Sequence, residues 1–219
     1  MSSFLQEIEA SLPNGLVLPG EFREMFGWMQ SNGFVHAGAR GRYASLYPFA
    51  EDPEGCRLSL VTFRPVDADD VSRWVQDDAK ASRRLAPIVG TGGEGSHAAI
   101  WIDDEGRRRF VHLGSGSGST MLCTLTDSAT DFLRLLAIGY EELCWPEQFE
   151  QEPEQVIEDT LDADQIYRFP SEFSAWVEAT FRVAIPATAA EIVRITADMD
   201  ADASDDPFWR WMRSLQTWP

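Results

Sequence analysis

The 219-residue chain has a single lysine, Lys80, beside seventeen arginines, only three histidines and three cysteines, and no run of eighteen apolar residues. Each scarcity excludes something. Crossing a bilayer core as a helix takes about 20 consecutive apolar residues, so no membrane span is expected. Residues 1–12 carry Glu7 and Glu9 and no basic segment, which does not read as a secretory leader. Cys56, Cys123 and Cys144 are odd in number, and none stands in a Cys-x-x-Cys or Cys/His spacing. That argues against a zinc site or a disulfide framework and for a reducing, cytoplasmic setting. No metal or other cofactor is expected.

Basic charge is scarce as a whole: eighteen Lys and Arg stand against thirty-six Asp and Glu, for a formal net charge of −18. Such a field repels nucleic-acid phosphates and steers basic proteins inward, although it also serves plain solubility. Nucleic acid is therefore excluded as a partner ahead of protein.

Catalytic signatures are scarce too. The stretch 90–96, Gly-Thr-Gly-Gly-Glu-Gly-Ser, lacks the lysine of a phosphate-binding loop and leads into a strand pattern, so it reads as a plain mobile loop. In 114–120, Gly-Ser-Gly-Ser-Gly-Ser-Thr, no serine has glycine at both minus two and plus two, so there is no nucleophile elbow. A hydrolase using Ser115, Ser117 or Ser119 would also need a histidine oriented by a third group. His36, His97 and His112 read as structural or surface residues. Asp103, Asp104 and Glu105 sit between two strand patterns, where such residues build turns. The acids of 198–206 lack the spaced glycine and closing glutamate of a calcium loop and read as linker. The chain is expected not to be an enzyme.

Large apolar residues are plentiful. Hydrophobic types make up 44% of the chain and include eight Trp and thirteen Phe. A fold of this length buries roughly 70% of its unfolded surface, and these residues suffice to fill such a core. Ser3 and Gln6 have capping-box spacing ahead of Phe4, Leu5, Ile8 and Leu12, which predicts a first helix ended by Pro13-Asn14-Gly15. Pro19, then Phe22, Met25, Phe26 and Met29, predicts a second helix stopped at Asn32-Gly33. Residues 36–56 read as a long connection or an irregular hairpin. A β-prone run holds Leu58, Leu60 and Phe63, and a helix over about 69–81 carries Val71, Trp74 and Val75. Residues 98–102 and 109–113 read as a hairpin, 121–125 as a further strand, and Asp127 or Ser128 as the cap of a helix running to Gly139.

From Glu141 to Glu172 eleven acids face one basic residue, and few apolar positions recur before 165, so this stretch reads as solvated loop and as a boundary. Beyond it come a helix with Phe173, Trp176 and Val177, a capping box at Thr188 and Glu191, and a helix capped by Asp206 and Pro207. That last helix carries Phe208, Trp209, Trp211, Met212 and Leu215, with Trp218 after it, an apolar surface that either docks on the core or meets a partner. The expected fold is α+β, a mostly antiparallel central sheet with helices packed against it and a helical C-terminal extension. The expected units are 1–145 and 146–219.

Several of these pieces, in this order, resemble the SUKH superfamily, the Smi/Knr family of bacterial immunity proteins and fungal cell-wall regulators. Leu18-Pro19 with Phe22 is similar to its Pro-led helix, and Asn32-Gly33 to the turn after it. The strand 98–102, the segments 110–114 and 121–125, and Asp127 through Gly139 are similar to its later strands and final helix. The resemblance covers roughly residues 13–145 and departs from the small family core at 36–56 and after 146. It implies a non-enzymatic binder, with a basic nuclease or deaminase toxin as the protein partner. The alternative it implies is a regulatory scaffold like the fungal members. Expected partner contacts are Glu147, Glu150, Glu152 and Glu154 for charge, and Trp209 and Trp211 for apolar anchoring.

Overall fold

The computed structural model of the chain describes residues 2–49, 55–158, 161 and 165–215. Its helices are α1 (Phe4–Ser11), α2 (Gly20–Ser31), α3 (Ala68–Trp74), α4 (Ala79–Ser82), α5 (Ala129–Ile138), α6 (Pro153–Glu158), α7 (Ser171–Phe181) and α8 (Pro207–Leu215). Its strands are β1 (Val35–Gly38), β2 (Gly41–Ser45), β3 (Cys56–Arg57), β4 (Thr62–Phe63), β5 (Leu85–Gly90), β6 (His97–Ile102), β7 (Arg108–Leu113), β8 (Leu122–Thr126) and β9 (Ile166–Tyr167). Seven strands make one antiparallel sheet in the order β1-β2-β4-β5-β6-β7-β8, while β3 and β9 pair in parallel beside it. The chain is α+β.

Local chemistry accounts for the ends of the predicted helices. Ser3 and Gln6 form both halves of the capping box on α1. Gly33 takes φ +85° just past α2, and Gly139 takes φ +92° just past α5, where a left-handed residue ends a helix without the Cβ clash. At Gly139 an added Cβ would also meet Pro170 Cδ at 2.7 Å. The central hairpin has the expected register, with Ile100 opposite Phe110. Its turn is tied by Asp103, which accepts from the backbone of Glu105 and Arg107 and from the Nε–H groups of Arg107 and Arg109, both at 2.9 Å. These partners hold the buried Asp103 carboxyl well below the usual carboxylate range despite its burial.

The sheet is buried on both faces. On one, α1, α2 and α5 bring down Phe4, Phe22, Phe26 and Phe132 onto Phe63, Ile100 and Phe110. Phe22, Phe110 and Phe132 stack nearly parallel, with centroids 4.8 to 5.9 Å apart, and so lock α2, β7 and α5 to one another. On the other face Trp101, Ala99, Val111, Leu113 and Leu122 lie under Phe208, Trp211 and Met212 of α8. Asp206 joins the two ends of this layer, accepting from Trp209 N to cap the helix and from Thr124 N of β8, each at 2.9 Å.

Several expectations are corrected here. Strand β5 was not anticipated, because Pro87 inside Leu-Ala-Pro-Ile-Val argues against a central strand. The sheet tolerates it at a register shift between Pro87 and Val89, where the ladder needs no donor. Instead of one helix over 69–81 there are two short ones, separated by Gln76 and Asp77 at φ +51° and +61°. Of the β-prone run only Thr62–Phe63 joins the sheet. Residues 36–45 do form a hairpin, β1–β2. Stretch 197–199 lies along the β8 edge, with Leu122 N donating to Ala197 O at 2.7 Å and Met199 N to Thr120 O at 2.8 Å, so it covers an edge strand.

Candidate functional site

The acidic stretch is not the open loop its composition suggests. Leu143, Cys144, Phe149, Pro153 and Ile157 are buried at short intervals, and between them run a 3-10 turn, Pro146–Gln148, and α6. Sparse apolar residues without a helical period still anchor a chain when each enters the core separately. Tyr140 clamps the segment from below. Its hydroxyl donates to Gln151 O at 2.6 Å and accepts from Ala189 N at 3.1 Å, while Ala190 N reaches Phe149 O at 2.8 Å.

On this platform Glu147, Glu150, Glu152 and Glu154 are all exposed, and among the described residues none of the four is in an ion pair. Their field reaches inward. Burial chiefly raises the Tyr140 hydroxyl above its ordinary range, and Glu154 and Glu152 add to that. The Cys144 thiol is pushed up by burial and then by Glu142, Glu94 and Glu147, so it is an inert thiol.

Glu94 and Glu142 therefore extend the acidic ridge, and neither was picked out from the sequence. Glu142 accepts from Gly93 N at 2.7 Å and from Trp145 Nε1 at 2.6 Å, which fixes the half-buried Trp145 at the head of the ridge. Burial would raise the Glu94 carboxyl, but the neighbouring Ser115, Ser96 and Cys144 outweigh it and hold it below its usual range, with Ser96 N donating at 3.3 Å. The glycine loops make this crossing possible. A Cβ on Gly92 would meet Cys144 Sγ at 2.8 Å, and one on Gly118 would meet Glu94 Cγ at 2.9 Å. The loop read as mobile is thus stitched down: Thr91 N donates to Ser96 O, Leu143 N to Thr91 O, and Ser115 N to Ser96 Oγ. The sequence signal was the alternation of glycine with single polar residues, which marks close backbone approach as readily as flexibility.

Trp209 and Trp211 stand elsewhere. At 6% and 8% exposed they belong to the layer under α8, with Trp209 Nε1 donating to Asp198 O at 2.8 Å. Docking is the reading the structure takes for this helix, which leaves Trp209 and Trp211 little surface to offer a partner. Trp218 lies outside the described residues.

The serines and histidines do not converge. Ser119 is buried and donates to Cys144 O at 2.6 Å, while Ser115 and Ser117 face each other at 3.3 Å. Fully buried His112 gives Nδ1–H to Met121 O and takes the Thr91 hydroxyl at Nε2, and burial pushes its pKa down to about 4. His36 and Ser45 do meet, at 3.1 Å, but the same Nε2 lies 3.1 Å from Tyr47 O. A carbonyl only accepts, so that nitrogen carries its hydrogen and is no base toward Ser45.

Among the described residues no cluster of three or more His, Cys, Asp and Glu side chains is arranged to hold a metal ion, and no helix is long and apolar enough to cross a membrane. Comparison of the chain with protein-family models, with curated proteins and with solved structures gives no match.

Proposed function

We propose that this chain is a non-enzymatic binding protein of the immunity type, which neutralises a basic nuclease or deaminase toxin by direct contact. The observation that carries the reading is the ridge of exposed, unpaired glutamates held on a fixed platform. Charges that are left unpaired within the chain keep their field for a partner, and complementary fields speed encounter. The SUKH-like order of elements supplies the toxin-neutralising role, and the formal charge of −18 suits a partner evolved to hold nucleic acid.

Charge alone does not account for tight binding. A nanomolar complex needs about −12 kcal/mol, whereas a screened surface ion pair contributes at most about 1 kcal/mol. An aromatic anchor has to supply much of the rest. With Trp209 and Trp211 buried, that role falls to Trp145, half-buried between Glu142 and Glu147 and pinned through its indole N–H.

The test is capture of the protein encoded immediately upstream, followed by rescue of cells from its toxicity. Neutralising Glu147, Glu150, Glu152 and Glu154 together to Gln is expected to slow association from about 10⁸ M⁻¹s⁻¹ toward 10⁶ at low salt and to flatten its salt dependence, leaving k_off nearly unchanged. Trp145→Ala is expected to act on k_off instead. Absence of capture and rescue rejects the reading, and an unchanged on-rate in the quadruple variant assigns the ridge to solubility.

A further inference from the structure

A cleft of about 1340 Å³ opens at the β1–β2–β4 end of the sheet and runs to the glycine loop whose Gly93 donates to Glu142. The turn joining β1 to β2, Arg64 just after β4, the start of α3 and the glycine loop before β6 form its walls. Small-molecule sites run from roughly 300 to 1,000 Å³, so there is room for one ligand with its water. Its charge sets it apart. Counting its continuation beside Trp74, four arginines (Arg40, Arg42, Arg64, Arg73) face three carboxylates (Glu7, Asp67, Asp70), in a chain of net −18.

Two of these arginines are committed. Arg42 holds Glu7 through Nη2 at 2.6 Å and Nε at 3.1 Å, and Arg73 is paired with Asp70. Arg40 and Arg64 are exposed and have no carboxylate partner among the described residues. Arg64 is nevertheless placed, its guanidinium carbon 4.7 Å from the centre of the Tyr43 ring. Stacking uses the flat face of a guanidinium and leaves its in-plane N–H fork open to an oxyanion.

His97, in the lining of the same cleft, adds a different function. Its Nδ1 is 2.9 Å from Gly95 O, and because a carbonyl only accepts, the hydrogen sits on Nδ1 and Nε2 keeps its lone pair. Burial lowers its pKa, against the opposing pull of the Gly95 carbonyl and of Glu94. Beside two guanidinium donors the cleft therefore also offers an acceptor. Gly90 also lines the cleft, and a Cβ there would stand 3.2 Å from Thr62 Oγ1.

We propose that this cleft binds a small, hydroxyl-bearing oxyanion of the sugar-phosphate or hydroxycarboxylate kind, with Arg64 and Arg40 on the anionic group and His97 Nε2 accepting from a hydroxyl. The proposal rests neither on the exposed Glu147, Glu150, Glu152 and Glu154 nor on any protein partner.

Titration calorimetry of the whole chain with ribose 5-phosphate, citrate and pyrophosphate tests it. Saturable binding of ribose 5-phosphate or citrate at one site per chain is expected, and whichever binds more tightly identifies phosphate or carboxylate as the group taken. Arg64→Gln and Arg40→Gln are each expected to weaken that binding about tenfold, and Arg194→Gln, outside the cleft, to leave it unchanged. His97→Phe is expected to weaken ribose 5-phosphate or citrate more than it weakens hydroxyl-free pyrophosphate. Circular dichroism of each variant confirms that the fold is kept. No saturable binding of ribose 5-phosphate or citrate at millimolar concentration overturns the proposal. So does an Arg194→Gln loss equal to that of Arg64→Gln, which would mean diffuse charge, or equal losses for all three probes in His97→Phe.

Discussion

The two faces of the sheet are built by opposite strategies. The phenylalanine face is covered three times over, by α1, α2 and α5, and its aromatic stack ties elements from the first, middle and later parts of the chain into one core. The tryptophan face has one main cover, α8, helped by Val75 just past α3 and by Ala81 of α4. Redundant cover couples a face to the stability of the whole, whereas a single helix leaves its layer open to local release.

The largest effect is expected from Phe132→Ala. This removes a buried ring stacked on two others and should cost about 4 kcal/mol in denaturant unfolding, lowering hydrogen-exchange protection throughout the sheet. Phe208→Ala empties a site just as buried and should cost about 3 kcal/mol. Its signature should be different, with amide protection falling first in α8 while α1, α2 and α5 keep theirs. Equal loss across both sets of helices would show that the two faces are one cooperative unit.

A third substitution tests the strut between them, the β6–β7 turn. Asp103→Asn keeps the shape and removes the charge that Arg107 and Arg109 bind, for an expected loss of about 2 kcal/mol at neutral pH. Because the folded-state pKa is depressed, the native carboxylate contributes stability above its unfolded value, about 4, and loses that contribution as pH falls through the folded value. The gap between native chain and variant in urea midpoints should therefore close on acidification below about pH 4 and be unchanged from pH 6 to 8. The smallest effect is expected on the ridge: Gln at Glu147, Glu150, Glu152 and Glu154 should shift stability by less than about 0.5 kcal/mol per site, since no ion pair is lost.

The same contrast separates what the sequence made legible from what it hid. Elements of the phenylalanine face announce themselves locally, through Ser3 and Gln6, through the 3.6-residue spacing of Phe22, Met25, Phe26 and Met29, and through the caps Ser128 and Gly139. The ends of α8 were equally plain in Asp206 and Pro207, but its destination was not, because an apolar helix face looks the same whether it meets its own sheet or another protein. Strand β5 was hidden by Pro87, whose meaning depends on a bulge that only the paired strand creates. At the ridge the exposed acids could be named from composition, whereas Glu94 and Glu142 could not. Their place comes from two glycine loops crossing, a long-range contact that leaves no periodic trace.

A layer closed by α8 also carries a timetable. During synthesis the strands β5 to β8 emerge well before residues 207–215 leave the ribosome, so Trp101, Val111 and Leu122 are without their cover for that interval. Nascent chains in that condition are the ones that chaperones hold, and translation speed over the intervening acidic stretch would set how long the sheet must wait.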